Sequence, residues 1–307
     1  MKKWMALLPM FPLSLALLST AQNHSRSTTV NMNDDSQSDD CAQHLRLYND
    51  DYSATVRDEE VRTIPNQPLT IKAEHNGGIQ VTNWDKPEIS VKLCKQAAAD
   101  DEATAHKALS DTKLQINGNE ITVLGPQADD DHSLATLLMV KAPKGATLDL
   151  TANNGGISVR NFDGTVKAHT HNGGIALKKS TGTLSAEAQN GGISIKDCSG
   201  DVNASVQNGG LSISLPERWE GKGLEAHTHN GGLVVAVPRN LNTGVEIAGS
   251  QYVSFICKDD ACDNAQRTWD NDGRRLLRFG TGDPLIHATT VNGGIVVESR
   301  DHARGEL

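Results

Sequence analysis

The pattern Asn-Gly-Gly followed by Ile or Leu occurs at Asn76, Asn154, Asn172, Asn190, Asn208, Asn230 and Asn292. From Asn154 to Asn208 successive copies are 18 residues apart, and the next follows after 22. A fixed period of this size marks a repeat array, in which each unit buries its apolar surface only by stacking on its neighbours.

Counting back in twos from each Asn gives Thr170, Ala168 and Val166, then Ala188, Ala186 and Leu184, then Val206, Ala204 and Val202, then Thr228, Ala226 and Leu224. The residues between them are polar: Lys167, His169 and His171, for example, or Glu225, His227 and His229. Strict alternation of this kind is a strand with one buried face. A second alternation follows each Gly-Gly, with Ile175 and Leu177, Ile193 and Ile195, Leu211 and Ile213, and Leu233 and Val235 on the inward parity. Each repeat therefore reads as strand, Asn-Gly-Gly corner, strand, and a second turn marked by Gly164, Gly182 or Gly200.

Asn-Gly is a strong hairpin signal, so an antiparallel meander competes with a β-solenoid. The Asn shares the parity of the buried residues, and a meander has no reason to turn an amide inward at every corner. In a solenoid, identical amides stack as a hydrogen-bonded ladder. The predicted fold is all-β, a β-solenoid of the single-stranded β-helix type with coils of about 18 residues. The Asn residues are expected as inward rungs, and the paired glycines as positive-φ bends. Only 37% of the chain is hydrophobic and 4% aromatic, against about 45–50% apolar in an ordinary domain. A narrow interior filled by Ala, Val, Ile, Leu and Thr accounts for that deficit.

The remaining sequence reads as ends and insertions. Residues 1–21 have the form of an export signal, with Lys2 and Lys3, an apolar run broken by Pro9 and Pro12, and small residues up to Ala21. Residues 22–64 form a polar, partly disordered segment, 65–299 the solenoid domain with a cystine-loop insertion at 256–275, and 300–307 a tail. Ala97 to Leu109 is expected as a short helix, Leu114 to Leu124 as a hairpin around Asn117-Gly118, and Val245 to Phe255 as a degenerate coil with Gln251 where Asn belongs. No later segment is apolar and long enough to span a membrane. The formal charge of −9 argues against nucleic acid as a partner. Export places the chain in the periplasm, at the cell surface or outside the cell, where disulfides persist. Cys257 and Cys262, five apart, suit a small closed loop. Cys41 and Cys94 are the natural second pair, with Cys198 left over, although sequence alone does not choose among the pairings.

Gly78-Ile79-Gln80-Val81-Thr82-Asn83-Trp84-Asp85, the Pro143-Lys144-Gly145 approach to the central coils, the serial Asn-Gly-Gly-Ile corners and Asp283-Pro284-Leu285-Ile286 together resemble the bacterial putative-adhesin family of unknown function. The resemblance runs from about Pro65 to Ser299. It implies an exported envelope β-solenoid, and it brings no catalytic residue with it.

Chemical motifs are sparse: the sequence holds no Gly-x-Ser-x-Gly elbow, no His-Glu-x-x-His and no phosphate loop. No catalytic residue, metal ligand or cofactor is assigned. His169 with His171 and His227 with His229 form His-x-His pairs on an outward face. Two intervening coils set the pairs roughly 14 Å apart, which favours a solvated wall over a metal site. Trp269, beside the cystine loop, is a candidate surface contact together with those four histidines. The expected function is a non-catalytic envelope protein presenting a surface to an envelope protein or glycan. The alternatives are a structural or regulatory envelope module without soluble ligand, and a glycan-active β-helix enzyme.

Overall fold

The computed structural model describes residues 27–30, 38–48, 52–74, 77–127, 131–258, 260–263, 265–280 and 282–300. Residues 1–21, read above as an export signal, Asn76 and residues 301–307 lie outside this set. A twelve-stranded and an eleven-stranded sheet face each other across one continuous core. Both are parallel through their central strands, which makes the protein an all-β solenoid in which each coil gives one strand to either sheet. Asp163–Thr170 leads into Ile175–Lys178, Thr181–Asn190 into Ile193–Lys196, Asp201–Asn208 into Leu211–Ser214, and Gly223–Asn230 into Leu233–Val237.

Register turns the sequence repeat into columns. Val166, Leu184, Val202, Leu224 and Ile286 lie side by side in one sheet, next to a column of Ala168, Ala186, Ala204, Ala226 and Ala288. In the other sheet Ile157, Ile175, Ile193, Leu211, Leu233 and Ile295 run in line. Small residues from one wall and large ones from the other fill a thin interior, and each buried Val, Ile or Leu contributes about 1.5–3 kcal/mol. At the end of the column, the hydroxyls of Thr170, Thr228 and Thr290 donate to the carbonyls of Gly173, Gly209 and Gly231, so these buried hydroxyls are satisfied.

The corner amides form a continuous chain of hydrogen bonds. Asn172 donates to Asn154, Asn190 to Asn172, Asn208 to Asn190, Asn230 to Asn208 and Asn292 to Asn230, at 2.9–3.1 Å. Their direction departs from expectation, because all six side chains are exposed. The inward–outward alternation ends at the last residue of the strand: in Asp201–Asn208 and Gly223–Asn230 the Asn and the residue before it are both exposed. Asn190→Ala removes two bonds that water can replace, so the expected cost is about 0.5–1.5 kcal/mol. Denaturant melts against Gln189→Ala, expected below ~0.5 kcal/mol, check this.

The corner glycines also differ from expectation. Gly155, Gly173, Gly191, Gly231 and Gly293 have no positive φ. They are required because the coils touch there: a Cβ on any of them would lie 1.9–2.1 Å from the carbonyl oxygen of the corner glycine one coil earlier. Left-handed geometry belongs to the second turn instead, at Asn161, Lys179 and Asp197, with φ of 46–55°, and at Gly182 and Gly200.

Chain order and stacking order part company at both ends. Pro284–Asn292 and Ile295–Ser299, last in the sequence, lie between the Asn230 coil and the strands Gly244–Gly249 and Phe255–Cys257. The degenerate coil is thus the outer cap, and the regular Asn292 coil is slotted beneath it. At the other end Leu69–Ala73 and Gly77–Asn83 are covered by Glu120–Leu124 and His132–Ala142, and these by the antiparallel strands Lys113–Asn117, Ile89–Ala99 and Ala54–Ile64. The eleven-stranded sheet therefore begins at Ala54, ahead of the Pro65 boundary read from the repeat. Ser27–Val30 pairs with Leu45–Tyr48, so part of the polar N-terminal segment is ordered strand. Arg300, counted above with the tail, is buried and donates to the Leu215 carbonyl and the Asp197 carboxylate.

The expected helix is displaced. Ala97, Ala98 and Ala99 complete a strand held between two antiparallel neighbours, and the helix spans Glu102–Asp111, capped by Asp101, whose carboxylate accepts from the Thr104 amide. Buried Lys95 donates to the Leu109 and Thr112 carbonyls at the helix C-terminus and pairs with Asp58 at 2.7 Å. That bond to Lys95 holds the Asp58 carboxyl below the usual carboxylate range.

Candidate functional site

The outward face of the twelve-stranded sheet follows from the polar parity of the repeat. Register sets Lys167, Ser185, Asn203, Glu225 and His287 in one column, and His169, Glu187, Ser205, His227 and Thr289 in the next. Where Ser185, Asn203 and Ser205 are short, a shallow groove of about 240 Å³ opens between the taller Glu187, Glu225 and His227. The histidines find partners across the columns. His169 Nδ1 lies 3.7 Å from Glu187, and His287 sits between Glu225 at 3.9 Å and Glu246 at 3.6 Å. His227 Nδ1 is 2.7 Å from the Thr289 hydroxyl. Partial burial of the His227 ring, and then the charge of His229, lowers its pKa below the ordinary imidazole value.

Trp269 is not part of this wall. It lies on the edge strand Gln266–Trp269, opposite Arg275, on the parity that carries Leu277 and Phe279 into the core. Its ring, 62% exposed, faces the Arg275 guanidinium at 5.5 Å, and the same guanidinium contacts Phe255 at 5.8 Å. The segment read as a cystine-loop insertion thus supplies an antiparallel hairpin that closes the end of the sheet. Trp219 is 4% exposed and belongs to the core.

Cys257 and Cys262 form one disulfide, and Cys41 and Cys94 another. The second links the N-terminal segment to the strand Ile89–Ala99 across 53 residues, a loop whose closure stabilises by roughly 4 kcal/mol. Cys198 is free and buried in the column of second-turn residues that also holds Phe162 and Ser180. Burial pushes its thiol up to about 11, which leaves almost no thiolate at neutral pH. The native protein is expected to show no alkylation by iodoacetamide over hours at pH 8, and one alkylated residue, Cys198, after unfolding without reductant. Peptide mapping reads both.

A second concavity, which sequence reasoning missed, lies on the outward face of the other sheet. Lys141, Thr82, Arg160, Lys178 and Lys196 occupy one column of adjacent strands, with Met139, Gln80 and Ser158 in the column beside it. The N-terminal segment crosses this face. Asp40 caps the short helix Cys41–His44, Leu45 and Leu47 pack on Leu137 and Met139, and the carboxylate of Asp39 pairs with Lys141 while its carbonyl accepts from Lys92. Between segment and sheet is a cavity of about 290 Å³ walled by Asp39, Gln80, Asn83, Trp84, Lys141 and Lys179. The Trp84 ring is fixed by an Nε1–H bond of 2.7 Å to the Glu88 carbonyl. A sequence signal existed: Arg160, Lys178 and Lys196 recur at the repeat period. Gln80 and Lys141 come from segments that only the end crossover brings together.

Among the described residues, no three His, Cys, Asp or Glu side chains are grouped to hold a metal ion. No helix there is long and apolar enough to cross a membrane.

The model of the family Toastrack DUF4097 matches residues 27–251. No curated protein matches the chain. Among solved structures, a putative cell adhesion protein from Clostridium sporogenes is 9% identical, with a TM-score of 0.34 over 80% of this chain and 100% of that one. A putative adhesin from Bacteroides fragilis is 10% identical, with a TM-score of 0.39 over 78% and 97%. A putative lipid binding protein from Parabacteroides distasonis is 9% identical, with a TM-score of 0.33 over 78% and 96%.

Proposed function

The chain belongs to the Toastrack DUF4097 family, and we propose that it is a non-catalytic, exported envelope protein whose solenoid presents a binding surface to an envelope protein or glycan. The observation that carries this reading is the outward wall of the twelve-stranded sheet. Its columns keep position while changing residue, as in His169, Glu187, Ser205, His227 and Thr289. A catalytic centre needs a nucleophile, acid or base converging in a site that excludes water. This wall instead spreads hydroxyls, amides, imidazoles and carboxylates over an open sheet, which suits many weak polar contacts with an extended partner. The export-type leader and two cystines favour an oxidising compartment.

The test has two arms. Fractionation of cells with intact and permeabilised envelopes is expected to place the protein outside the cytoplasm. A screen of the purified protein against arrayed envelope glycans and purified envelope proteins is expected to give a ligand whose binding falls at least tenfold in the variant Ser185→Arg with Ser205→Arg, which fills the groove without touching the core. Turnover of a polysaccharide or peptide, abolished by one substitution on an outer face, overturns the reading.

A further inference from the structure

We infer that Asn117 is a site of spontaneous covalent modification, at which the Gly118 nitrogen closes on the Asn117 side-chain amide, and that the amide ladder shields the corner Asn-Gly pairs from the same reaction. The inference concerns the chemistry of the chain itself and does not depend on the role proposed for the wall of the twelve-stranded sheet.

The chain holds eight Asn-Gly dipeptides, seven at the corners and the eighth at Asn117-Gly118. Asparagine is a thermolabile residue, and a glycine after it leaves the next backbone nitrogen unhindered. That nitrogen attacks Cγ of the asparagine. A bond from nitrogen to Cγ forms, the bond from Cγ to Nδ2 breaks, and ammonia leaves with the proton that the attacking nitrogen gives up. Water then opens the five-membered succinimide at either carbonyl, giving aspartate or isoaspartate. No oxidant or reductant takes part. The closure is intramolecular, so its rate follows how often nitrogen and Cγ reach attack geometry.

Solvent access does not separate the sites, because Asn117 and the described corner asparagines are all exposed. Hydrogen bonding does. The Asn190 amide donates to Asn172 and accepts from Asn208, and the Asn208 and Asn230 amides are held on both sides in the same way. The attacking nitrogens are engaged as well: the N–H groups of Gly191, Gly209 and Gly231 donate to the carbonyls of Asn208, Asn230 and Asn292 at 2.8–3.1 Å. Turning Cγ onto the following nitrogen at these corners therefore breaks two side-chain bonds and one backbone bond together.

Among the described residues, no such set of bonds holds Asn117. It ends the strand Lys113–Asn117, which has one partner and lies at the edge of the twelve-stranded sheet. It pairs with Glu120 across a two-residue turn in which φ is 61° at Gly118 and not positive at Asn119, the type II′ form. The closing bonds of such a turn belong to its outer residues, so they leave the Gly118 N–H without a turn partner. An edge hairpin end of this kind opens without disturbing the core. Modification sets a carboxylate beside Glu120, and isoaspartate lengthens the backbone by one methylene, so the hairpin end loses its register while the core columns stay intact.

Peptide mapping of the full chain with both cystines intact, incubated for weeks at pH 8 in water labelled with heavy oxygen, reads the reaction at each site. Asn117 is expected to convert about tenfold or more faster than Asn190, Asn208 and Asn230. In the reduced chain held in urea, where the ladder is gone, those three sites should come within about threefold of Asn117. Asn208→Ala removes the donor to Asn190 and keeps the backbone bond from Gly191. With its melting transition retained, this variant should convert Asn190 about threefold or more faster than wild type and leave Asn117 within about twofold. Equal native rates at Asn117 and the three corners, corner sites that stay slow in urea, or an Asn190 rate indifferent to Asn208→Ala would each overturn the inference.

Discussion

A chain ending at residue 283 is expected to lose its cooperative unfolding transition, although the deletion removes only the last coil of the sequence. Pro284–Asn292 and Ile295–Ser299 bury Ile286, Ala288, Ile295 and Val297 at 0% exposure. The three large side chains alone contribute on the order of 5–9 kcal/mol, comparable to the whole net stability of a typical domain, about 5–15 kcal/mol. The position of the coil adds to its composition. It lies between the Asn230 coil and the cap, so its loss separates Gly244–Gly249 and Phe255–Cys257 from every partner strand except Arg275–Phe279. It also removes the last rung of the amide ladder and the Arg300 bonds to Asp197 and Leu215. The Asn230 coil is left with open strand edges in both sheets, which invites aggregation. Thermal melts and hydrogen exchange read the outcome. Protection should vanish first from residue 211 onward, whereas an unchanged melting temperature would mean that the cap can dock directly on the Asn230 coil.

That inserted coil also shows where the sequence was legible and where it was not. The core columns could be read because two periodicities coincide, alternation within a strand and recurrence between coils. Val166, Leu184 and Val202 are adjacent in space for the same reason that they align in sequence. Alternation is a property of extended backbone, however, and it stops at the corner. Extrapolating it by one position turned the asparagines inward when they are exposed. Stacking order escaped for a different reason. Any coil edge can pair with any other, so the repeat itself does not say which neighbour a coil takes. One cue was present: an irregular coil with Gln251 in place of Asn suits an end, and a regular coil at Asn292 suits a position beneath it. The cavity on the eleven-stranded sheet depends on the crossover at the other end, which brings Lys141 beside Thr82. Its basic column was readable from the period, but its amide wall and the segment that covers it were not. Trp269 is exposed, 62% of its surface, but the hairpin that carries it obeys neither period, so its pairing with Arg275 was not legible.

The same corner gives the second large effect. Gly191→Ala is expected to destabilise the protein by about 3 kcal/mol or more, while Gly210→Ala, in the next coil, changes stability by under ~0.5 kcal/mol in either direction. Both are corner glycines and neither has a left-handed φ, since Gly191 and Gly210 are absent from the positive-φ set. Propensity therefore cannot separate them. Space does: a Cβ on Gly191 would lie 2.1 Å from the Gly173 oxygen and 2.6 Å from its carbonyl carbon, and both atoms belong to backbone with no rotamer to change. A Cβ on Gly210 meets only the Gly232 oxygen, at 3.7 Å, an ordinary contact. To admit the methyl at Gly191 the coil must separate from the one before it, which lengthens the Asn190 to Asn172 amide bond and loosens the Ile175 and Ile193 contact beneath. At roughly 2–4 °C per kcal/mol for a chain of this size, the Gly191 variant should melt about 6–12 °C below the Gly210 variant. Equal melting temperatures would mean that the glycines serve the bend and not the close approach of the coils.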